Sequence, residues 1–306
     1  IGNLGQPGFF EMARTMAYDS TYDVLYVGDP LRFAGDDSVE KVGAYQDGRW
    51  HFVADFKCTS CGSGDIESIV IADSGRVFIA GFFEGATDIN GNYVASENVI
   101  EYNFLTKRLS PLGFGLEADR VYALAWQSDT LWAAGRITKA KNTGGDINVN
   151  NIAYFDESSQ MWHAMGQGIG THGLSTDDNG DVSSLALGDN GTVYAAGRFS
   201  KINTQDTVFS IAQWSRTGGW SAVGDGLYQA YSSTTRKGPA LVFDIAYNTN
   251  TQTLFATGYM GLAIGGPNGL ASWNGSQWTY MPGFGKPNST GGQYQGYDFA
   301  GLNWKN

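Results

Sequence analysis

The sequence is poor in charge, cysteine, histidine and proline. Charged residues make up 16% of the 306 residues, against about a quarter in an average globular domain. Two cysteines, three histidines and seven prolines occur, which excludes a zinc site built from two ligand pairs. No apolar run approaches the roughly 20 residues of a membrane-spanning helix, and no signal peptide precedes Ile1. We therefore expect a mature or excised chain without a transmembrane segment.

Positive charge is scarcer than negative charge. Lysine and arginine total 19 and acidic residues 30, which gives a formal net charge of −11. Nucleic-acid affinity comes mainly from basic side chains that neutralise phosphates. The composition therefore predicts no nucleic-acid partner.

Glycine and aromatic residues are abundant, and they recur periodically. Glycine occurs 43 times and aromatic residues reach 14%. One phrase of four strand-like residues and a glycine recurs, with the glycine at Gly28, Gly81, Gly135, Gly197 and Gly258. Four short apolar runs per repeat and a period of about 50 to 60 residues are typical of propeller blades. We predict a single all-β domain, a β-propeller of four-stranded blades.

Each repeat contains four strand-like segments, A to D, and D begins with tryptophan in four of five copies. The predicted blades span about 9–56, 65–116, 119–169, 181–227 and 240–284. Residues 1–8 resemble the D phrase and residues 297–304 resemble strand A, which predicts parts of a sixth blade. Either the ring closes with five blades, or the chain was excised from a longer polypeptide.

The connections divide into short and long ones. A–B and C–D connections are short and rich in Asp-Gly and Asn-Gly, which favour tight hairpins. B–C and D–A connections are long, and in a meander they lie on the same edge of every blade. Because variable loops on a rigid scaffold carry function, we predict the site on that edge.

The repeat phrases resemble those of the fungal cortical cell-polarity marker family and of secreted bacterial propellers. The matching positions, with their echoes in the following repeat, are Asn151, Ile152, Ala153, Trp162, Met165, Gly166, Gly168, Ile169, Ile211, Ala212, Trp214, Trp220, Val223, Gly224, Gly226 and Leu227. This resemblance implies an extracellular, glycosylated surface protein without catalytic activity. It transfers no active-site motif.

Two arginines and four loop tyrosines are candidate ligand contacts. Arg136 and Arg198 follow the strand-B glycine in adjacent blades and could hold a carboxylate in two-pronged fashion; ion pairs with Asp146 or Asp206 are the alternative. Aromatic rings on long loops stack on sugars or anchor protein interfaces. The candidates are Arg136, Arg198, Tyr228, Tyr231, Tyr259 and Tyr294, with Tyr93 as a further loop aromatic.

Other residue patterns are weaker candidates. Cys58 and Cys61 predict a small disulfide-closed loop, with a reduced pair, metal and redox chemistry as alternatives. Alternating carboxylate and amide oxygens suggest calcium, and Asx-turns explain them equally; these residues are Asp88, Asn90, Asp146, Asn148, Asp177 and Asp181. No other cofactor is expected. For catalysis the candidates are His172, Asp177 and Asp178, without any recognised hydrolase or nucleotide-binding motif.

Three sequons are candidate glycosylation sites: Asn288, which lies in a long loop, and Asn190 and Asn274, which lie in tight turns. We predict an extracellular or cell-surface recognition or adhesion module, not an enzyme, that binds a glycan or an extracellular protein through the long loops. One alternative is a structural component of a surface or filament assembly, which self-assembles. The other is a secreted polysaccharide-active hydrolase or lyase.

Overall fold

The computed structural model describes residues 13–28, 33–34, 37–38, 41–59, 64–170, 180–203, 206–230, 237–260 and 269–281. The chain forms two compact units. The first comprises Ile1–Asn148 with Ala153–His163, and the second Val149–Ile152 with Ala164–Asn306. Within the described residues the structure is β-strands and two short 3₁₀ turns.

The first unit contains three blades and the short strands that connect their longer segments. Its strands are β1 (Thr15–Asp19), β2 (Val24–Gly28), β3 (Phe33–Ala34), β4 (Asp37–Ser38), β5 (Val42–Gln46), β6 (Arg49–Phe52), β7 (Asp55–Lys57), β8 (Asp65–Ile71), β9 (Arg76–Phe82), β10 (Gly85–Thr87), β11 (Tyr93–Ala95), β12 (Val99–Asn103), β13 (Arg108–Pro111), β14 (Leu116–Gln127), β15 (Thr130–Ala140), β16 (Ile147–Asn148), β17 (Ile152–Asp156) and β18 (Met161–Ala164). A 3₁₀ turn, Asp73–Gly75, joins β8 to β9.

The second unit contains two blades. Its strands are β19 (Asp181–Leu187), β20 (Val193–Arg198), β21 (Lys201–Ile202), β22 (Asp206–Thr207), β23 (Ile211–Ser215), β24 (Gly219–Ala222), β25 (Tyr228–Ala230), β26 (Lys237–Pro239), β27 (Leu241–Asn248), β28 (Thr253–Tyr259), β29 (Gly269–Trp273) and β30 (Trp278–Tyr280). The 3₁₀ turn Asp189–Gly191 joins β19 to β20.

Four antiparallel four-stranded sheets and one five-stranded sheet, in which β16 pairs with β15 beside the four blade strands, confirm the predicted fold class. Their orders are β1-β2-β5-β6, β8-β9-β12-β13, β14-β15-β17-β18, β19-β20-β23-β24 and β27-β28-β29-β30, which we call blades 1 to 5. The A strands are neighbours within each unit, since β8 contacts β1 and β14, and β19 contacts β27. Apolar residues between the sheets form the core, with a large cluster in each unit.

The strand register separates two edges of every blade. The first residue of strand A pairs with the last of strand B, as in Asp65 with Phe82 and Asp181 with Arg198. The B–C and D–A connections therefore leave each blade at one edge, the loop edge, and the A–B and C–D connections leave at the other, the turn edge. Two predicted A–B hairpins are 3₁₀ turns in which Ser74 and Asn190 adopt φ of 60° and 56°.

The recurrent strand-B glycine is required by a bulge in strand A. Register shifts occur in β8, β14, β19 and β27 next to this glycine. A Cβ on Gly81 would lie 1.9 Å from the Asp65 carbonyl oxygen, and one on Gly135 would lie 2.2 Å from that of Arg120. Glycine inside a strand commonly marks such a close approach of backbone. In four of the five blades the recurrent glycine therefore marks this bulge, whereas β1 pairs with β2 without a register shift beside Gly28.

The asparagine of the Asn-Ile-Ala phrase holds strand C to the following D–A segment. Asn98 and Asn151 adopt φ of 62° and 65°, the left-handed region that asparagine tolerates better than most residues. Their Nδ2 groups donate to the carbonyls of Leu116 and Ile169, at 2.8 Å in both cases. The phrase therefore encodes a turn and a buried hydrogen bond.

The tryptophan that begins strand D links successive blades. The indole Nε1 of Trp162 donates to the Leu112 carbonyl at 2.8 Å, and that of Trp220 donates to the Met165 carbonyl at 2.7 Å. Both rings are buried. These two tryptophans therefore pack between blades. The phrase Trp-x-x-[Leu/Met/Val]-Gly therefore supplies a donor to the preceding blade and an acceptor to the next.

Substitution of Asn98 separates its two roles. We expect Asn98→Ala to lower the free energy of unfolding by about 2–4 kcal/mol, since alanine disfavours positive φ and leaves buried backbone groups unpaired. Asn98 is 4% exposed, and its Oδ1 also accepts from the Phe83 N–H at 3.0 Å. Asn98→Gly keeps the backbone conformation, so it should cost less than alanine by about 1 kcal/mol. Urea unfolding of both variants measures this order, and equal losses would contradict it.

Candidate functional site

The loop edge consists largely of short hairpins, where the sequence predicted plain loops. In blade 2, β10 and β11 form a hairpin, and β7 from the preceding D–A connection pairs with β10. In blade 4, β21 pairs with β22, and β25 pairs with β26 in the next connection. β3 pairs with β4, and β16 pairs with β15. These pairings give the loop edge a defined shape.

The tip of the β10–β11 hairpin is an Asx-turn built on Asp88. Its Oδ1 accepts from the backbone N–H groups of Asn90 and Asn92, both at 2.9 Å. Hydrogen bonds from Asn92 lower the pKa of Asp88, because they stabilise the carboxylate form. The alternative to calcium, an Asx-turn, therefore accounts for Asp88 and Asn90. Asn90 and Asn92 both direct backbone N–H groups at the Asp88 carboxylate.

The other calcium candidates belong to other segments of the chain. Asn148 ends β16 and Asp181 begins β19, while Asp146 precedes β16; Asp177 lies outside the described residues. In the part of the chain that the structure describes, no group of three or more His, Cys, Asp or Glu could hold a metal ion. Calcium binding stays a prediction for these residues.

Three large apolar side chains are exposed on the loop edge of blade 2. Ile89 lies at the hairpin tip and is 60% exposed, Tyr93 begins β11 and is 53% exposed, and Phe114 precedes β14 and is 54% exposed. The Glu97 N–H donates to the Phe114 carbonyl at 3.2 Å, which ties Phe114 to the segment after β11. We call Ile89, Tyr93 and Phe114 the blade 2 patch.

Of the three residues of the blade 2 patch, only Tyr93 was predicted from the sequence. Ile89 and Phe114 were not. Phe114 is the middle residue of Gly113-Phe-Gly115, and Ile89 lies in Asp88-Ile-Asn90. An apolar residue flanked by turn residues on both sides has no strand periodicity to explain it. That local context is the signal that could have found them.

Paired charges border Phe114. Lys141 Nζ lies 2.7 Å from Glu97 Oε1, and the Phe114 N–H donates to the Lys141 carbonyl at 2.8 Å. The Glu97 hydrogen bond raises the pKa of Lys141. Glu117 accepts from the Thr138 hydroxyl at 2.9 Å, and this bond, together with Lys139 and Lys141, lowers the pKa of Glu117. An apolar group inside a border of paired charges resembles the core and rim of a protein interface.

A second charged cluster joins blades 1 to 3 beside their A strands. Glu67, at the β8 bulge, accepts from Arg14 at 2.5 Å and also from Arg120. Arg120 Nη2 also lies 3.0 Å from Asp65 Oδ2, and Lys41 Nζ lies 3.9 Å from Asp65 Oδ1. The Glu67 side chain is 13% exposed. Two carboxylates held by three cations form a link between blades.

The two predicted arginine contacts lie at the loop edge of their own blades. Arg136 follows Gly135 and its Nη1 lies 2.9 Å from Asp119 Oδ2. Asp119, on β14, is thus an acid beside Arg136, and the alternative of ion pairs with Asp146 or Asp206 stays a prediction. Arg198 ends β20 and lies opposite Asp181 of β19 in the strand register. The predicted carboxylate clamp stays a prediction.

The described tyrosine candidates pack against phenylalanines of their own unit. Tyr259, at the end of β28, meets Phe243 edge to face with ring centroids 5.1 Å apart. Tyr228, on β25, meets Phe209 at 6.3 Å in the same way. Each of these two tyrosine rings therefore makes a packing contact within its own unit. Tyr231 and Tyr294 lie outside the described residues.

Several other predicted residues also lie outside the described part. These are His172, Asp177, Asp178, Cys61 and Asn288. Cys58 is 5% exposed and has no free thiol; the bridge to Cys61 stays a prediction. The sequons at Asn190 and Asn274 lie on the turn edge, and both asparagines are exposed. Asn274 Oδ1 accepts from the Ser276 N–H and hydroxyl, at 3.0 and 2.9 Å. Glycosylation stays a prediction at all three positions.

The described residues contain no candidate for a membrane-spanning helix. None of their elements is a helix of the length and hydropathy that would span a bilayer.

Comparisons with known proteins identify the fold. No family model matches the chain, and no curated protein matches it. The RRP9 WD40 repeats superpose with a TM-score of 0.52 at 12% identity, over 90% of this chain and 67% of theirs. PorZ, an essential bacterial surface component of the type-IX secretion system of Porphyromonas gingivalis, gives 0.51 at 12% identity, over 90% of this chain and 34% of its own.

A third structure matches less well. The extracellular domain of a putative one component system from B. thetaiotaomicron has a TM-score of 0.49 at 13% identity, over 88% of this chain and 27% of its own. The chain thus spans well under two thirds of two of these three proteins. At such identities the likeness shows the fold alone. With the five blade sheets, it establishes a β-propeller and confirms that prediction.

Proposed function

We propose that this propeller is an extracellular, non-enzymatic recognition or adhesion module that binds a glycan or a protein through its loop edge. The observation that carries the proposal is the contrast between the two edges of blade 2. The loop edge carries a shaped hairpin and three exposed apolar side chains, whereas the turn edge carries short turns. Exposed aromatic and apolar groups inside a polar border are common anchors for a partner.

The charges of the loop edge favour binding over hydrolysis. A glycoside hydrolase needs two carboxyl groups in separate roles, one of them an acid with a raised pKa. Asp65 and Glu67 share Arg120 and have further cationic partners. Asp88 and Glu117 are loop-edge carboxyl groups with a shifted pKa, and in both the pKa is lowered. Paired, stabilised carboxylates are suited to structure and charge complementarity.

The extracellular location is part of the same proposal. It is supported by the resemblance of the repeat phrases to the fungal cortical marker family and to secreted bacterial propellers. Two exposed sequons on the turn edge, Asn190 and Asn274, would carry glycans away from the loop edge. Among the fold neighbours, PorZ is described as a bacterial surface component.

Binding to defined arrays tests the proposal. The recombinant chain is applied to an array of soluble polysaccharides and to one of purified extracellular protein domains. For any ligand found, we expect Tyr93→Ala and Phe114→Ala each to weaken binding at least about tenfold, which is the usual effect of an anchor residue. Their folding should be unaffected, because substitutions of exposed side chains usually change stability by under about 0.5 kcal/mol.

The matched control is Leu105→Ala. Leu105 is 58% exposed, also in blade 2, and lies in the C–D turn at the turn edge. Its substitution should leave binding unchanged. Equal weakening by Leu105→Ala, or unchanged binding in both loop-edge variants, would refute the loop edge as the site. Turnover of a bound polysaccharide would refute the non-enzymatic role.

A further inference from the structure

Three Asn-Gly pairs lie in exposed turns of the described residues: Asn90-Gly91, Asn190-Gly191 and Asn274-Gly275. In such a pair the backbone nitrogen of glycine can attack the Cγ of the asparagine side chain, because glycine has no side chain to obstruct the approach. The bond from Cγ to the amide nitrogen breaks, and the amide leaves as ammonia with the proton that the glycine nitrogen loses. Water then opens the cyclic imide to aspartate or isoaspartate. By sequence the three pairs are alike.

The side-chain oxygen of Asn274 accepts three hydrogen bonds in the C–D turn of blade 5. The donors are the Ser276 N–H at 3.0 Å, the Ser276 hydroxyl at 2.9 Å and the Gln277 N–H at 3.0 Å. Negative charge develops on this oxygen when a nucleophile adds to Cγ, and donors already directed at it stabilise that transition state. Among the described residues, no carbonyl accepts from the Gly275 N–H, which supplies the nucleophile.

The other two Asn-Gly pairs are held differently. The Gly91 N–H donates to the Asp88 carbonyl at 3.0 Å, so the nucleophile of that pair is already bonded. Asn190 lies inside a 3₁₀ turn that is closed by a hydrogen bond from the Thr192 N–H to the Asp189 carbonyl at 3.1 Å. Within the described part of the chain, the side-chain oxygen of the asparagine accepts no hydrogen bond in either pair. Both pairs therefore lack the three donors of Asn274.

We propose that Asn274 is a self-modifying site, which loses ammonia through attack by Gly275 faster than the asparagines of the other two pairs and becomes an acidic residue. The equivalent position of blade 3 shows the form that an aspartate product would take. There Asp156 Oδ1 accepts from the Ser158 N–H at 2.9 Å and from the Ser158 hydroxyl at 2.8 Å. Aspartate at position 274 would therefore keep the turn, and it would add one negative charge to a formal net charge of −11. This inference is independent of the proposed binding function.

Peptide mapping by mass spectrometry tests the proposal. The full chain, made in a bacterial host without asparagine glycosylation, is aged at neutral pH, and conversion is measured at each Asn-Gly pair. We expect Asn274 to react at least about fivefold faster than Asn90 and Asn190, because one hydrogen bond that stabilises a transition state changes a rate by about that factor. In urea the three should react at similar rates. The same order of rates in the folded and the unfolded chain would overturn the proposal.

Asn103 is a matched control within the same chain. It occupies the equivalent position of blade 2, and its Oδ1 also accepts three hydrogen bonds, from the Leu105 N–H at 3.1 Å and from the Thr106 N–H and hydroxyl at 2.9 and 3.2 Å. The residue after it is Phe104, whose side chain obstructs attack by the backbone nitrogen. Asn103 should therefore stay intact. Conversion of Asn103 at the rate of Asn274 would contradict attack by Gly275.

Substitution of Ser276 tests the three donors. Ser276→Ala removes the hydroxyl donor, so conversion of Asn274 should slow about fivefold. Ser276→Thr keeps a hydroxyl and should restore the rate. Unchanged rates at Asn90 and Asn190 would show that both variants keep the parent fold. An unchanged or higher rate at Asn274 in Ser276→Ala would overturn the proposal.

The product is tested separately with Asn274→Asp. Because the carboxylate can accept the same hydrogen bonds, this variant should melt at the temperature of the parent chain. Isoaspartate would instead lengthen the backbone by one carbon atom beside the pairing of Trp273 with Trp278. A lower melting temperature of Asn274→Asp would refute the retained turn.

Discussion

Gly135→Ala is expected to lower the free energy of unfolding by about 3–5 kcal/mol, a large part of the total for an ordinary domain. The added methyl would lie 2.2 Å from the Arg120 carbonyl oxygen and 2.9 Å from the Val121 Cα. Both atoms belong to the backbone of β14, so no side chain can rotate away. The β14 bulge would have to move. Urea unfolding followed by tryptophan fluorescence measures the loss.

The control is Gly144→Ala in the B–C connection of the same blade. No heavy atom lies within 4 Å of its added Cβ, and its φ is not in the left-handed region. Alanine there should be neutral or stabilising by up to about 1 kcal/mol, because it restricts the unfolded chain. Similar losses at both glycines would show that the bulge does not explain the repeat glycine.

Arg76→Met is expected to lower the free energy of unfolding by about 2–4 kcal/mol. Arg76 joins blades 2 and 3 at the turn edge. Its guanidinium lies 2.9 Å from Glu101 Oε2 and 2.9 Å from Glu157 Oε2, and it covers the Phe78 and Trp126 rings at 5.2 and 5.5 Å. Its loss leaves two carboxylates only 15% and 18% exposed. A fully buried pair would cost about 3–5 kcal/mol, and partial exposure reduces this figure.

Glutamine substitution of the partners distinguishes stranded charge from lost packing. If unpaired carboxylates cause the loss, Glu101→Gln and Glu157→Gln should restore more than half of it in the Arg76→Met background. Arg216→Met is the control, since Arg216 is exposed in a C–D turn, and it should change stability by under about 0.5 kcal/mol. No rescue by glutamine would assign the loss to the aromatic contacts.

The repeat made most of the fold predictable. Periodic glycine, Asn-Ile-Ala and tryptophan phrases indicated four strands per blade, and each phrase proves to place one residue against the backbone of another segment. Gly135 meets the β14 bulge, Asn98 caps a carbonyl, and Trp162 reaches the preceding blade. Such contacts repeat because each blade must fit its neighbour. A single sequence can therefore reveal them.

The candidate site was less predictable because it has no repeat. The β10–β11 hairpin pairs with β7, which comes from a different connection, and only the folded chain shows that contact. Arg136 illustrates the same limit. Its position beside the loop edge followed from the repeat, but its acid partner, Asp119, depends on the local path of β14. Phe114 lies between two glycines of the repeated D phrase. That phrase explains the turn but not why an exposed phenylalanine occurs in it.

The indole bonds between blades give the array a direction. In the part of the chain that the structure describes, the indoles of Trp162, Trp220 and Trp278 each donate to a carbonyl of the earlier blade. Shortening the array from its carboxyl end would bare a backbone carbonyl, which water can satisfy at little cost. Shortening it from the amino end would strand an indole N–H and expose an aromatic face. Descendants of such a protein should therefore lose or gain units more readily at their carboxyl end.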